Sequence, residues 1–287
     1  MFLITGITGQ VGGAAATQLL NAGHSLRALV RDPAKAAAWA ARGVDVRAGD
    51  LNDSASLSAA LRGVEGVFVM MPPQFPSSRE FAEARGIAAS YRTALDQVPV
   101  SRVVVLSSWG SEKPDRLGPI TATHLLETAL RGVSSPLAFI RAGSFLENIA
   151  YAVAAAASGH FTTALTRAVP MVASADIGAL AARLLVGPAW RGQRVLELGT
   201  AYSADEIAIA LTNVVGRPVT PRQIALSERR ADLVARGMSP FAAELLDEMT
   251  DSQNSGWIAF GVPGSEPVPA TMTPEAFFQG VKRAQGH

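Results

Sequence analysis

Short apolar, β-branched runs alternate with Ala- and Leu-rich stretches over the first two hundred residues. The runs predict strands over Phe2–Thr5, Ser25–Val30, Val44–Arg47, Gly66–Met70, Arg102–Leu106 and Leu137–Arg141. Between them, helices are predicted over Val11–Ala22 (closed by Gly23), Pro33–Arg42, Leu57–Leu61, Ser78–Asp96 and Ile120–Arg131. Ile177–Val186 and Arg194–Leu198 supply one more helix–strand pair. Strands that are apolar throughout are buried on both faces, and strands separated by helices run parallel. The pattern therefore predicts an α/β fold built on a doubly wound parallel sheet.

From about Ala201 the rhythm changes. A helix is predicted over Ala204–Val215, a strand near Val219–Ile224, and helices over Ser227–Arg236 and Pro240–Met249. A Gly/Pro/Ser-rich stretch, Ser252 to Pro269, leads to a last helix near Pro274–Arg283. These elements read as a small, mostly helical cap lobe on the carboxyl edge of the sheet, with Phe145–Val172 contributing. The expected division is residues 1–144 plus 173–199 for the sheet domain and 145–172 plus 200–287 for the cap.

The chain has 287 residues, or about 1.9 domains at ~150 residues each, which suits one large domain with an appended lobe. It is 48% hydrophobic and 17% charged, too apolar for a disordered chain. Its 25 basic and 24 acidic side chains give a net charge of +1. That balance lacks the basic surplus of a nucleic-acid binder. The absence of cysteine excludes disulfides, thiol nucleophiles and Cys-ligated metals. The longest apolar run, Ile149 to Ala157, is nine residues, well short of the ~18 of a membrane span. No signal-peptide pattern opens the chain, and the expectation is a soluble, cytoplasmic protein.

Residues 5 to 13 read Thr-Gly-Ile-Thr-Gly-Gln-Val-Gly-Gly, directly after the first strand and opening the first helix. A pyrophosphate needs bare backbone N–H groups and the positive end of a helix dipole. Gly6 suits the tight turn, Gly9 the close approach and Gly12 the packing of the helix, with Thr8, Gln10 and Val11 completing the loop. In this strand–loop–helix context the glycines predict a dinucleotide-binding Rossmann domain. The second strand ends in Val30-Arg31-Asp32-Pro33. A guanidinium there pairs with a 2′-phosphate, so Arg31, helped by Lys35, points to NADP(H). A small rotation presenting Asp32 to the ribose is the alternative, as is Arg31 as a merely solvated charge. Met70, Met71, Pro72 and Pro73 after the fourth strand should line the ribose–nicotinamide side, or else pack in the core.

Most short-chain dehydrogenases use a Tyr with a Lys four residues on. Here Tyr91, Tyr151 and Tyr202 are followed at that distance by Leu95, Ala155 and Glu206, so the pair is missing. The sequence does contain a helix with His124 and Glu127, then Arg141-Ala142-Gly143-Ser144-Phe145-Leu146-Glu147-Asn148. Together with the glycine loop, Val30-Arg31-Asp32-Pro33 and Gly49-Asp50-Leu51, these segments resemble the NmrA-like family of atypical short-chain dehydrogenases/reductases.

That resemblance implies a hydride-transferring enzyme with NADP(H) as cofactor, and members that reduce quinones, triphenylmethane dyes or azo dyes. It also implies the competing class, non-catalytic NADP(H)-sensing regulators. It places Asp50 and Leu51 on the adenine, although Asp50 alone reads equally as a turn or capping acid. It places His124 in the nicotinamide pocket, where some members carry a Lys near the position of Thr123, and Ser107 in the place of the usual catalytic serine. His124 reads equally as a packing residue, and Ser107 as a polar strand end.

A quinone or cationic dye carbon takes up hydride to give a weaker base than an alkoxide, which lessens the need for the missing Tyr. Water, His124 or Ser107 could complete protonation, with His124 and Ser107 as the candidate catalytic groups. Phe75, Trp109, Phe145 and Asn148, with Met71 and His124, are expected around a flat substrate. Arg141 either orders this loop or pairs with Glu127 or Glu147. A hydrolase using Ser107 or Ser108 is disfavoured without a GxSxG elbow. No metal site is expected from four scattered histidines. The expected partner is a small aromatic or quinoid molecule, not nucleic acid or membrane, and a homodimer is left open.

Overall fold

The computed structural model describes residues 1–73, 76 and 78–285. In chain order the sheet domain runs β1 (Phe2–Thr5), α1 (Gln10–Asn21), β2 (Leu26–Val30), α2 (Ala37–Ala40), β3 (Asp45–Ala48), α3 (Ser54–Leu61), β4 (Gly66–Val69), α4 (Ala82–Gln97), β5 (Arg102–Ser108), α5 (Thr121–Leu130) and β6 (Leu137–Ala142). Then follow β7 (Ser144–Phe145), α6 (Ala152–Ala155), β8 (His160–Thr163), β9 (Val169–Val172), α7 (Ser174–Val186), β10 (Gln193–Leu198), β11 (Thr200–Tyr202) and α8 (Ala204–Val215). The chain ends with β12 (Thr220–Gln223), α9 (Arg229–Ala235), α10 (Pro240–Ser255), β13 (Glu266–Val268) and α11 (Pro274–Ala284).

Eight parallel strands form the main sheet in the order β13-β10-β6-β5-β4-β1-β2-β3. The direction of winding reverses between β1 and β4, and ligands of such sheets bind beyond the carboxyl ends of the strands at that point. Alternate residues feed two cores. Leu3, Val67, Val69, Val103, Val105 and Phe139 pack under α3, α4 and α5. Phe2, Ile4, Phe68, Val104 and Ile140 pack under α1 and α7. Burial on both faces explains why these strands read as unbroken apolar runs.

A third core, around Trp109, Leu146, Phe161, Leu211, Ile258 and Phe278, joins the cap to the carboxyl edge. The cap carries two small sheets, β11-β9-β7 and β12-β8. Of their five strands, the chain pattern predicted only β12, because β7, β8, β9 and β11 hold two to four residues each and β9 contains Pro170. The Gly/Pro/Ser-rich stretch is also not all linker. α10 continues to Ser255, where Gly256 ends it with a φ of 76°. β13 then pairs with β10 and completes the main sheet, although the division by composition puts it in the cap. The buried carboxylate of Glu197 accepts from the backbone N–H of Gly261 at 2.7 Å and Val262 at 3.2 Å, tying this late segment to β10.

Several helices differ from expectation at their starts, α3 and α7 by beginning three residues early. The segment from Pro33 is a 3-10 turn, Pro33–Ala36, before the short α2. α4 starts at Ala82 rather than Ser78, because Phe81 sits at φ 51°, outside helical space. Among the described residues no helix is long and apolar enough to cross a membrane.

Candidate active site

The turn from β1 into α1 lies at the reversal point of the sheet. Gly6 has a φ of +66°, and an ideal Cβ on it would come 2.8 Å from Met70 Sδ. The Gly9 N–H donates to the Gly6 carbonyl at 2.9 Å, tightening the turn, and no side chain caps α1. A Cβ on Gly12 would overlap the Gly6 carbonyl oxygen, so α1 can lie on the turn only with glycine there. What remains is a stretch of bare main chain at the positive end of a twelve-residue helix, suited to two linked phosphoryl groups.

A cavity of about 360 Å³ opens beside it. Gly6, Thr8, Gly9, Arg31, Lys35, Leu51, Met70 and Pro72 all line it, as do Leu29, Val30, Asp32, Gly49 and Pro73. Asp32 accepts from the Ala34 N–H at 3.0 Å and caps the 3-10 turn. One of its oxygens is used in this way, while Arg31 and Lys35 are exposed and form no salt bridge among the described residues. The lining of the cavity thus combines two cations with a glycine turn. The donor set fits a dinucleotide with an extra phosphate on its adenosine ribose.

Other cofactor candidates lie elsewhere. Gln10 is exposed in the first turn of α1, and Val11 is buried in the core, leaving only its main chain to offer. Asp50 takes the turn role, accepting from the Asn52 N–H at 2.9 Å, and does not line the cavity. Met71 is 7% exposed and packs in the core under α4, so of the methionine pair only Met70 faces the cavity. Alternation along an extended chain explains the split.

Thr5 holds this wall in place, a role the sequence reading missed. Its hydroxyl donates to the Phe68 carbonyl at 2.9 Å and accepts from the Met70 N–H at 3.2 Å. The Tyr91 hydroxyl lies 3.1 Å from Thr5 Oγ1 and 3.2 Å from the Met70 carbonyl. Burial pushes the Tyr91 phenol well above its ordinary value. It is a brace, not a proton donor. The Tyr151 hydroxyl donates to the Thr162 carbonyl at 3.2 Å, and Tyr202 lies on β11 in the cap. Lys113 stacks on Trp257 at 4.8 Å and Lys282 donates to the Val214 carbonyl at 2.9 Å, so neither can assist a tyrosine.

At the carboxyl end of β5, Ser107 is buried and its hydroxyl donates to Glu127 Oε1 at 2.6 Å. Glu127, fully buried on α5, is gripped by Arg141 of β6 through Nε at 2.9 Å and Nη2 at 2.7 Å. Arg141 also meets Glu112 at 3.1 Å. Burial works against the charge of Arg141, but Glu127 outweighs it, with Glu112 and Glu197 adding to the effect, and holds the guanidinium above its ordinary pKa. Of the two partners considered for Arg141, Glu127 is the one it finds. Glu147 instead accepts from the Ser174 N–H at 2.9 Å and its hydroxyl at 2.5 Å. The one hydroxyl hydrogen of Ser107 is thus aimed at Glu127 and away from an acceptor.

His124 is half-buried on α5, with Nδ1 2.9 Å from the Ser111 carbonyl. Trp109 corrects an expectation. It is 4% exposed, packed in the cap core and edge-on to Phe260 at 6.0 Å, so its ring has no free face for a substrate. Phe145 is half-buried on β7 and Asn148 is exposed just beyond it. Phe75 lies outside the described residues. Among the described residues no group of three or more His, Asp or Glu side chains could hold a metal ion.

A doubly wound parallel sheet with a glycine turn at its reversal point defines a dinucleotide-binding protein of the Rossmann class. Residues 1–254 match the NmrA-like family, and the chain belongs to that family. It is 31% identical over 254 residues to an NAD(P)H azoreductase of Xenophilus azovorans, covering 87% of this chain and 86% of the relative. It is 29% identical over 264 residues to quinone oxidoreductase 2 of Escherichia coli, covering 89% of each. A crystal structure of an NADPH-dependent quinone oxidoreductase from Escherichia coli, complexed with NADPH, superposes with a TM-score of 0.81 at 27% identity. That match covers 99% of this chain and 100% of the other.

Proposed function

We propose that this protein is an NADPH-dependent oxidoreductase that transfers hydride to a flat conjugated acceptor, quinone-like or dye-like, without a Tyr–Lys pair. The observation that carries the reading is the cavity lined both by bare glycine main chain and by Arg31 and Lys35, which form no salt bridge among the described residues. The names of its relatives, an azoreductase and a quinone oxidoreductase, support the acceptor class.

In this reading, the backbone N–H groups from Thr8 to Gly12 hold the pyrophosphate. Arg31 and Lys35 hold the 2′-phosphate, and Leu51 covers the adenine. Met70 and Pro72 form the apolar wall beside the nicotinamide, with Met70 fixed by Thr5 and Tyr91. NADPH supplies the hydride when bound. The protein's part is to hold the acceptor flat at near-attack distance and to exclude water. The region between β5, α5 and β7, flanked by His124, Phe145 and Asn148, is where the acceptor is assigned. The cytoplasm is the compartment this reading implies.

The deciding experiment measures NADPH oxidation by the purified protein with and without a quinone or an azo dye, and repeats it with NADH. Acceptor-dependent oxidation that strongly prefers NADPH supports the reading. The competing class, an NADP(H) sensor, draws on the three tyrosines, none of which is placed to act with a lysine. Silence across a broad panel of acceptors, with NADP⁺ bound much more tightly than NADPH, would favour the sensor.

A further inference from the structure

Quinone reduction needs a proton as well as a hydride, and the buried groups at the end of β5 narrow its source. The Tyr91 phenol is enclosed and its hydroxyl is spent on the Met70 wall. Ser107 directs its only hydroxyl hydrogen into a bond with Glu127, which is clamped by Arg141. His124 remains.

Its ring is held in a defined way. A carbonyl oxygen only accepts, so at 2.9 Å from Ser111 O the Nδ1 atom must carry a hydrogen. Ser111 is itself fully buried and fastened. The Thr123 hydroxyl donates to the Ile120 carbonyl at 2.9 Å, which uses its only hydrogen. The Ser111 hydroxyl, 2.8 Å from Thr123 Oγ1, is therefore the donor of that pair. Thr123 thus ties Ser111 to α5, and Ser111 fixes Nδ1 of the next residue along the helix. Nε2 makes no hydrogen bond to a described residue and is left for chemistry.

We propose that Nε2 of His124 is the atom that delivers the proton, and that Thr123, through Ser111, is a positioning residue that sets this. The inference rests on the functional reading above. A quinone that has taken up hydride is a hydroquinone monoanion. When both ring nitrogens carry hydrogen, the anionic oxygen takes the Nε2 proton, giving neutral hydroquinone. The ring is left neutral with its hydrogen on Nδ1, still bonded to Ser111, and water returns a proton to Nε2. A cationic triarylmethane dye behaves differently, because its central carbon takes hydride to give a neutral product and needs no proton.

The experiment compares the two acceptors and reads the ring directly. His124→Gln is expected to slow quinone turnover by about 100-fold or more, within the range of general-acid catalysis, and to slow dye turnover, where only its contact with the acceptor is lost, by at least about tenfold less. Thr123→Val, which keeps the shape and removes the tether, is expected to slow quinone turnover about fivefold, roughly one ordinary hydrogen bond, and to spare the dye. Imidazole nitrogen NMR of the wild-type protein, at a pH where the ring is neutral, should show the hydrogen on Nδ1. In Thr123→Val that preference should weaken.

Equal loss with both acceptors, loss with neither, or a neutral ring carrying its hydrogen on Nε2 overturns the proposal. Should His124→Gln fail to fold, Thr123→Val and the wild-type spectrum decide. If the wild-type protein reduces neither acceptor, the functional reading fails instead, and the spectrum alone judges the ring assignment.

Discussion

Ser107 on β5 and Glu127 on α5, twenty residues apart in sequence, meet through a buried 2.6 Å hydrogen bond in which Ser107 is the donor. The bond turns a serine in the position of a catalytic hydroxyl into a strut. Ser107→Ala is therefore expected to lower stability by about 1.5–3 kcal/mol, the range for a hydrogen bond to a charged group, and to leave quinone turnover within a few-fold of wild type. A large fall in turnover with unchanged thermal stability would return Ser107 to the reaction.

The two glycines of the turn should separate fold from binding. Gly9 has a φ of −93°, which any residue adopts, and a Cβ there would stand 3.3 Å from the Gly6 carbonyl oxygen. Gly9→Val is expected to unfold near the wild-type temperature yet bind no dinucleotide by calorimetry. Binding that survives would remove this turn from the cofactor site.

Gly12→Ala should behave in the opposite way. Its methyl would collide with main chain that cannot rotate aside, so α1 must lift from the turn. The expected loss is about 1–3 kcal/mol or more of stability, as for overpacked cores. Denaturant unfolding measures it, and a wild-type midpoint would mean that the turn yields.

Arg31→Asp replaces an unpaired cation at the cavity rim with a charge that repels phosphate. One charged hydrogen bond, about 1.5–3 kcal/mol, corresponds to an NADPH affinity lower by roughly 10- to 100-fold. NADH should change little. Unchanged selectivity in a titration against both cofactors would assign Arg31 to solvent.

Tyr91 predicts a pH effect on stability. Burial raises its pKa above the ordinary value of 10.0, so the folded state keeps the phenol proton where the unfolded chain releases it. The stability it contributes is full below about pH 10 and is lost as the pH rises further. Tyr91→Phe should flatten the alkaline limb of a plot of unfolding free energy against pH. An identical slope in both proteins would mean that the phenol is not enclosed.

Much of the sheet was legible because β1, β5 and β6 are continuous apolar runs buried on both faces. The glycine turn and Arg31 were legible because their chemistry belongs to the main chain and to charge, both local properties. β13 was not, since three residues with a central proline carry no period. Trp109 departs from expectation, and Met71 and Ser107 take the plainer of the two readings open to each, for a different reason. Each sits at a strand end, where the direction of the side chain is set by cap or helix residues far along the chain. Thr123 and Ser111 gave no signal, because the decisive acceptor is a backbone carbonyl.

The strand that finishes the main sheet, β13, comes from residues 266–268, later than every cap element except α11. During synthesis, the outer edge of β10 therefore stays open while nearly seventy further residues are made. A nascent or truncated chain ending before β13 presents a row of unpaired backbone groups, a template for association with other chains. Synthesis of β13 covers Leu196–Leu198 of that edge with a short strand whose central Pro267 has no N–H to offer a further chain.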